Sequence, residues 1–124
     1  DTDSLLVCPA ICYDLRFPEL FRTGVRAGAE LFALGANWPA ARAPHFRALL
    51  VARAVENQAF VLWVNRVWSD PNQAYAGGSV AIDPQGVELA SGDDRERVLS
   101  VEIDPAALRA WREAFPALRD MRPV

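Results

Sequence analysis

Residues able to do chemistry gather at three places where an apolar run ends in polar side chains. The first is Cys12-Tyr13-Asp14, which closes the run Leu5 to Ile11; the second is Asn37-Trp38; the third is Asn65-Arg66. A thiol at the end of a buried strand, just before a helix N-terminus, is well placed for a nucleophile. The strand fixes its position, and nearby backbone N–H groups stabilise negative charge. The alternative is that Cys12 is a small core residue, as most free cysteines are. Cys8 and Cys12 lie four apart in one expected strand, roughly 13 Å at strand rise, which is too far for a disulfide. His45 is the only histidine, and no Cys or carboxylate cluster has ligand spacing around it. Neither a metal nor a cofactor is expected.

These residues need elements to hold them. Leu5 to Ile11 reads as a strand covered on both faces, with Pro9 inside it as a sign of a free edge or a bulge. Pro18 to Ala27 reads as a helix, with Pro18 at its first position, Glu19 in its first turn and Gly28 as its cap. Leu31 to Leu34 is a short buried strand. Pro44 opens a second helix running to about Gln58, whose inner face is Phe46, Leu49, Leu50 and Ala54. Arg53 lies on the edge of that face with Glu56 one turn on. Either they form an exposed ion pair, or Arg53 is a partly buried buttress of the site.

Phe60 to Val64 is a third apolar strand. Gly78 to Ile82 and Val87 to Ala90 form a hairpin across Asp83-Pro84-Gln85-Gly86. Val98 to Ile103 alternates cleanly and predicts a half-exposed strand. Asp104 caps a last helix with Pro105 at its first position, running to about Phe115. The tail, Pro116 to Val124, is polar and punctuated by proline. The order is therefore β-α-β-α-β, then antiparallel strands, then a helix. Right-handed crossovers make the first three strands parallel neighbours, and ligands in such sheets sit beyond the carboxyl ends of the strands. The three polar clusters then converge on one rim, which favours the nucleophile reading of Cys12.

Composition narrows the function further. The chain has 124 residues, 52% of them hydrophobic, and a net charge of -3. That is a globular unit with a sizeable core, and its charge argues against nucleic acid as a partner. No apolar run reaches the roughly 18 residues that span a bilayer, and no leader pattern is visible, so a reducing cytoplasm is the expected compartment. All 13 basic residues are arginine. A mechanism that needs a lysine finds none here. No glycine-rich loop follows a strand, so a nucleotide-binding reading is weak.

The segment Ile11-Cys12-Tyr13-Asp14-Leu15-Arg16-Phe17-Pro18-Glu19 resembles the nucleophile segment of the nitrilase, or carbon–nitrogen hydrolase, superfamily. Ala36-Asn37-Trp38-Pro39, Ala52 to Gln58, Asn65-Arg66-Val67, Gly78-Ser79 and Asp83-Pro84-Gln85-Gly86 continue the resemblance in order along nearly the whole chain. Asn-Trp-Pro and Asn-Arg-Val look most like the omega-amidase branch, which acts on the terminal amide of short 2-oxo dicarboxylic acid monoamides. Trp68 stands where that branch often has a small residue.

The resemblance implies an α-β-β-α sandwich, of which residues 1–124 would be the C-terminal half as a single unit, built further into dimers. It implies a cysteine nucleophile, matched by Cys12, with a catalytic Glu and Lys upstream that no residue here matches. The backbone N–H of Tyr13 would help hold the oxyanion. Asn37, Trp38, Asn65 and Arg66 would shape the substrate pocket, with Arg66 as partner of a substrate carboxylate or as an ordinary surface arginine. Asp14, Arg16, Glu19, Arg53 and Glu56 would support the site rather than react. The expected partners are a small amide, a missing N-terminal half or second chain, and further copies of the same chain. The other reading is a catalytically incomplete subunit that keeps the fold and pairs through its sheet, because half a sandwich leaves an apolar sheet face uncovered.

Overall fold

The computed structural model describes residues 4–123. Its centre is one five-stranded sheet with the strands side by side in chain order. Strand β1 (Val7–Ile11) pairs in parallel with β2 (Leu31–Ala36), and β2 pairs in parallel with β3 (Phe60–Asn65). Strands β4 (Val80–Ile82) and β5 (Glu88–Ser91) continue the sheet antiparallel. Helix α1 (Pro18–Arg26) joins β1 to β2 and α2 (Ala43–Asn57) joins β2 to β3. Two crossovers of one hand, stepping the same way across the sheet, put both helices on one face. Phe21 and Val25 of α1 and Phe46, Leu50 and Ala54 of α2 form a single core with Phe32, Leu34, Val61, Trp63, Val80 and Ile82 from the sheet.

The opposite face is covered only in part. Helix α3 (Pro105–Ala114) packs Leu108 against Leu31 and Phe60, with Leu5, Ala33, Leu62 and Ile103 around them. Asp104 caps this helix as its sequence position requires, its carboxylate accepting from the N–H groups of Ala106 and Ala107. Towards the carboxyl ends of the strands the same face stays open. Ile11 is 71% exposed and Val64 66%.

Two expectations need correction. Strand β1 is an edge strand with Val7, Pro9 and Ile11 exposed, not a strand covered on both faces. The free edge that Pro9 signalled is present, since β1 is the first strand of the sheet and a residue without an N–H is tolerated there. Val98 to Ile103 is not a strand. It is an extended, unpaired segment in which Leu99, Val101 and Ile103 are half-buried and Val98 faces solvent. The alternation reflects a chain lying on an apolar surface, which produces a period of two without any ladder. In the tail, Leu118 and Met121 pack against the main core. Val124 lies outside the described residues.

Candidate active site

Strand β1 ends at Ile11 and the chain turns at once into a 3-10 turn, Cys12–Arg16. The sharpness of that turn falls on Cys12, whose φ is +43°. A non-glycine residue in the left-handed region is uncommon and costs energy, so it persists only where the surroundings hold it. Here they do. The Asp14 carboxylate accepts from the backbone N–H of Ile11 at 2.8 Å, closing the turn back on the strand. Arg53, only 5% exposed, donates from Nε (3.1 Å) and Nη2 (2.8 Å) to the carbonyl of Leu15, and Leu15 is itself fully buried. The remaining Arg53 nitrogen, Nη1, pairs with Glu56 at 3.1 Å, and the guanidinium lies over the Phe21 ring. The ion pair and the buttress read from the sequence are thus one arrangement. Nε and Nη2 of Arg53 hold the turn that begins at Cys12, and Nη1 is neutralised by Glu56.

The rim expected from the strand order is present. Ile11 is level with Gly35, and Ala36 with Asn65, so Cys12, Asn37 and Arg66 follow neighbouring strand ends. Their roles differ. Asn37 is exposed at the end of β2. Trp38 is 3% exposed, packed edge-on to Trp63 and Phe46, with Nε1 donating to the Arg42 carbonyl. Asn65 is buried too. Its Oδ1 accepts from the Trp38 N–H (2.8 Å), its Nδ2 donates to the Gly77 carbonyl (2.8 Å), and its own N–H donates to Ser79 Oγ (3.0 Å). One amide side chain therefore ties the ends of β2, β3 and the approach to β4. Polar groups this deep are stabilising only when satisfied, and these are.

Two guanidinium groups reach the rim. Arg66 lies over the Tyr75 ring at 4.8 Å and is 3.6 Å from Asp70, whose carboxylate also accepts from Tyr75 Oη at 2.7 Å. Those bonds, that from Tyr75 first, hold Asp70 below the usual carboxylate value and raise Tyr75. Arg16, at the end of the Cys12–Arg16 turn, lies over the Trp38 ring at 4.8 Å with Nη2 3.2 Å from His45 Nδ1. It has no carboxylate partner among the described residues. Tyr13 is exposed and meets Phe17 edge-to-face. Glu19 stands exposed in the first turn of α1, where it suits the helix dipole. Sequence reasoning missed the contact of His45 with Arg16 and the placing of Ser79 under Asn65. Neither has a signal in spacing, because both partners come from distant segments.

A cavity of about 370 Å³ opens beside β3, with Asn65, Arg66, Trp68, Ser79, Asp93 and Arg97 in its wall. Cys12 is not in that wall; it stands two strands away. Among the described residues no group of three His, Cys, Asp or Glu is placed to hold a metal ion, and no helix is long and apolar enough to cross a membrane.

Comparison with known proteins follows the same outline. The model of the carbon–nitrogen hydrolase family matches residues 1–113. The omega-amidase YafV of Escherichia coli (strain K12) is 47% identical over 116 residues, 92% of this chain and 44% of that protein. Among solved structures, XC1258 from Xanthomonas campestris, a CN-hydrolase superfamily protein with an arsenic adduct in its active site, is 41% identical with a TM-score of 0.91. The match covers 97% of this chain and 48% of that one. An amidase from Nesterenkonia sp. AN1, in a glutamate-to-glutamine mutant, carries the acetamide moiety of fluoroacetamide covalently on its active-site cysteine. It is 28% identical with a TM-score of 0.76, over 95% of this chain and 41% of that one. The chain thus spans about half the length of the relatives it matches. With the family model matching most of the chain and the fold matching that of solved relatives, these 124 residues belong to the carbon–nitrogen hydrolase family.

Proposed function

We propose that this chain supplies the nucleophile of a cysteine amidase that releases ammonia from the terminal amide of a small carboxylic acid. The observation that carries the reading is the strained, braced placement of Cys12 at the end of β1. The Cys12 thiolate attacks the amide carbon, forming a C–S bond and an oxyanion. The N–H of Tyr13, second in the 3-10 turn, donates to that oxyanion, as the early N–H groups of such a turn can. The C–N bond breaks, the nitrogen takes a proton and leaves as ammonia, and a thioester remains on Cys12. Water then forms the new C–O bond, the C–S bond breaks, and the acid departs with the thiol restored.

The proton transfers need a base and an acid, which the family resemblance assigns to a Glu and a Lys. This chain has no Lys, so that group comes from a second segment or chain, and the resemblance puts the Glu there with it. The open sheet face bearing Ile11 and Val64 is where such a body would pack. The similarity to an omega-amidase supports a substrate with a carboxylate at its other end. Arg66 is one partner for that carboxylate. Arg16 is the other, since it stands on the turn of Cys12 with no carboxylate of its own. In the enzyme completed by the Glu and Lys, Cys12→Ala should abolish ammonia release from such amides. Turnover by that variant would end the proposal.

A further inference from the structure

Among the described residues three that are not glycine have φ in the left-handed region: Cys12, Gln58 and Trp68. Two have an evident reason. Cys12 is the strained turn above. Gln58 ends α2, where a left-handed cap is common, and its Nε2 is anchored on the Phe115 carbonyl. Trp68, at φ +68°, has no such duty. Its backbone is held in place, with the carbonyl accepting from the Tyr75 N–H at 2.8 Å and a bridge joining Ser69 to Ala74. Nothing in that hairpin asks for an indole. A bulky side chain in this region is a real outlier, and glycine would take the same conformation without strain. The side chain is moreover 66% exposed. The fold gains no core from it and bears the strain of keeping it.

Its surroundings suggest what the indole does. Trp68 follows Asn65 and Arg66 on the chain and lines the same cavity as they do. Strand β3, which leads into it, is two strands from β1, which leads into Cys12. Two strand spacings are about 10 Å between backbones; less the reach of the Cys12 and Trp68 side chains, that leaves the few ångströms a short difunctional acid spans with its amide carbon at the thiol and its far end at the β3 side of the rim. We propose that Trp68 is a specificity-determining residue whose indole walls the far end of the site and limits the length of amide accepted. This rests on the amidase reading of Cys12 and adds to it the residue that sets chain length.

The test uses the complete enzyme with succinamate, glutaramate and adipamate, three monoamides of increasing length. Wild type should favour the shorter members. Trp68→Gly and Trp68→Ala should both move the kcat/KM preference towards adipamate by about tenfold or more, the usual worth of a methylene that no longer meets a wall. The change should lie mainly in KM. Trp68→Gly should also melt higher than Trp68→Ala, because only glycine relaxes the backbone. The same length preference in wild type and both variants overturns the wall, even if Trp68→Gly is more stable. The two proposals fail separately. Turnover by Cys12→Ala removes the amidase reading, whereas an unchanged ladder with an inactive Cys12→Ala removes only the role of Trp68.

Discussion

Arg53 shows how one side chain can govern another that it never touches. Its guanidinium holds the Leu15 carbonyl from inside the core, and Leu15 lies three residues after Cys12 on the same tight turn. Truncation to Ala would strand a buried carbonyl and leave Glu56 without its cation. The expected loss is about 2–4 kcal/mol, read by denaturant unfolding, with a fall in turnover of the complete enzyme as the turn loosens. A change within about 0.5 kcal/mol, the usual range for a surface site, would show that Arg53 is not a buttress. The sequence left two roles open for this residue because a helix period locates a face and not the partner across it. The partner carbonyl lies 38 positions away. Asn65 is a similar case. Its place at a strand end was legible, but its burial and its three bonded segments were not, since a polar residue after an apolar run looks the same whether it faces solvent or pins a loop.

Among the elements, those with strong local signals were readable. The three helices, each with a proline in its first turn, the cap of the last one and the parallel order follow from periodicity, capping chemistry and crossover handedness. The segment after β5 misled because alternation reports contact with an apolar surface, not hydrogen-bonded pairing. The latch between α3 and the foot of the sheet was invisible in the sequence. Glu30, at the entry to β2, accepts from Arg109 Nε at 2.7 Å and Nη2 at 3.0 Å and from the Leu6 N–H at 3.3 Å. The Arg109 bond above all holds its carboxyl below the ordinary glutamate value of 4.5. Because the folded-state pKa is the lower one, the linked stability is complete above that ordinary value and is lost as pH falls through the folded one. Glu30→Gln should therefore unfold more easily than wild type at neutral pH, and the gap should close on acidification. Thermal melts at pH 7 and at acid pH read this directly. A gap that widened in acid would contradict the latch.

The whole molecule presents two unlike sheet faces. One is sealed by α1 and α2; the other is covered at its foot by α3 and open towards the rim that carries Cys12. If Cys12 is the nucleophile proposed above, the apolar face beside it suits a body that packs there and brings a base. On this view the isolated chain should self-associate, and light scattering across a dilution series should show a mass above that of one chain. A stable monomer at low concentration would argue that the face needs no cover. Everything proposed for this site turns on which atom reacts, and the chain's two cysteines provide the comparison. Ammonia release from glutaramate should be measured in the complete enzyme with Cys12→Ala and, beside it, Cys8→Ala. The Cys12 variant should release no ammonia above background while the Cys8 variant still turns over. Sustained release by the Cys12 variant would contradict it.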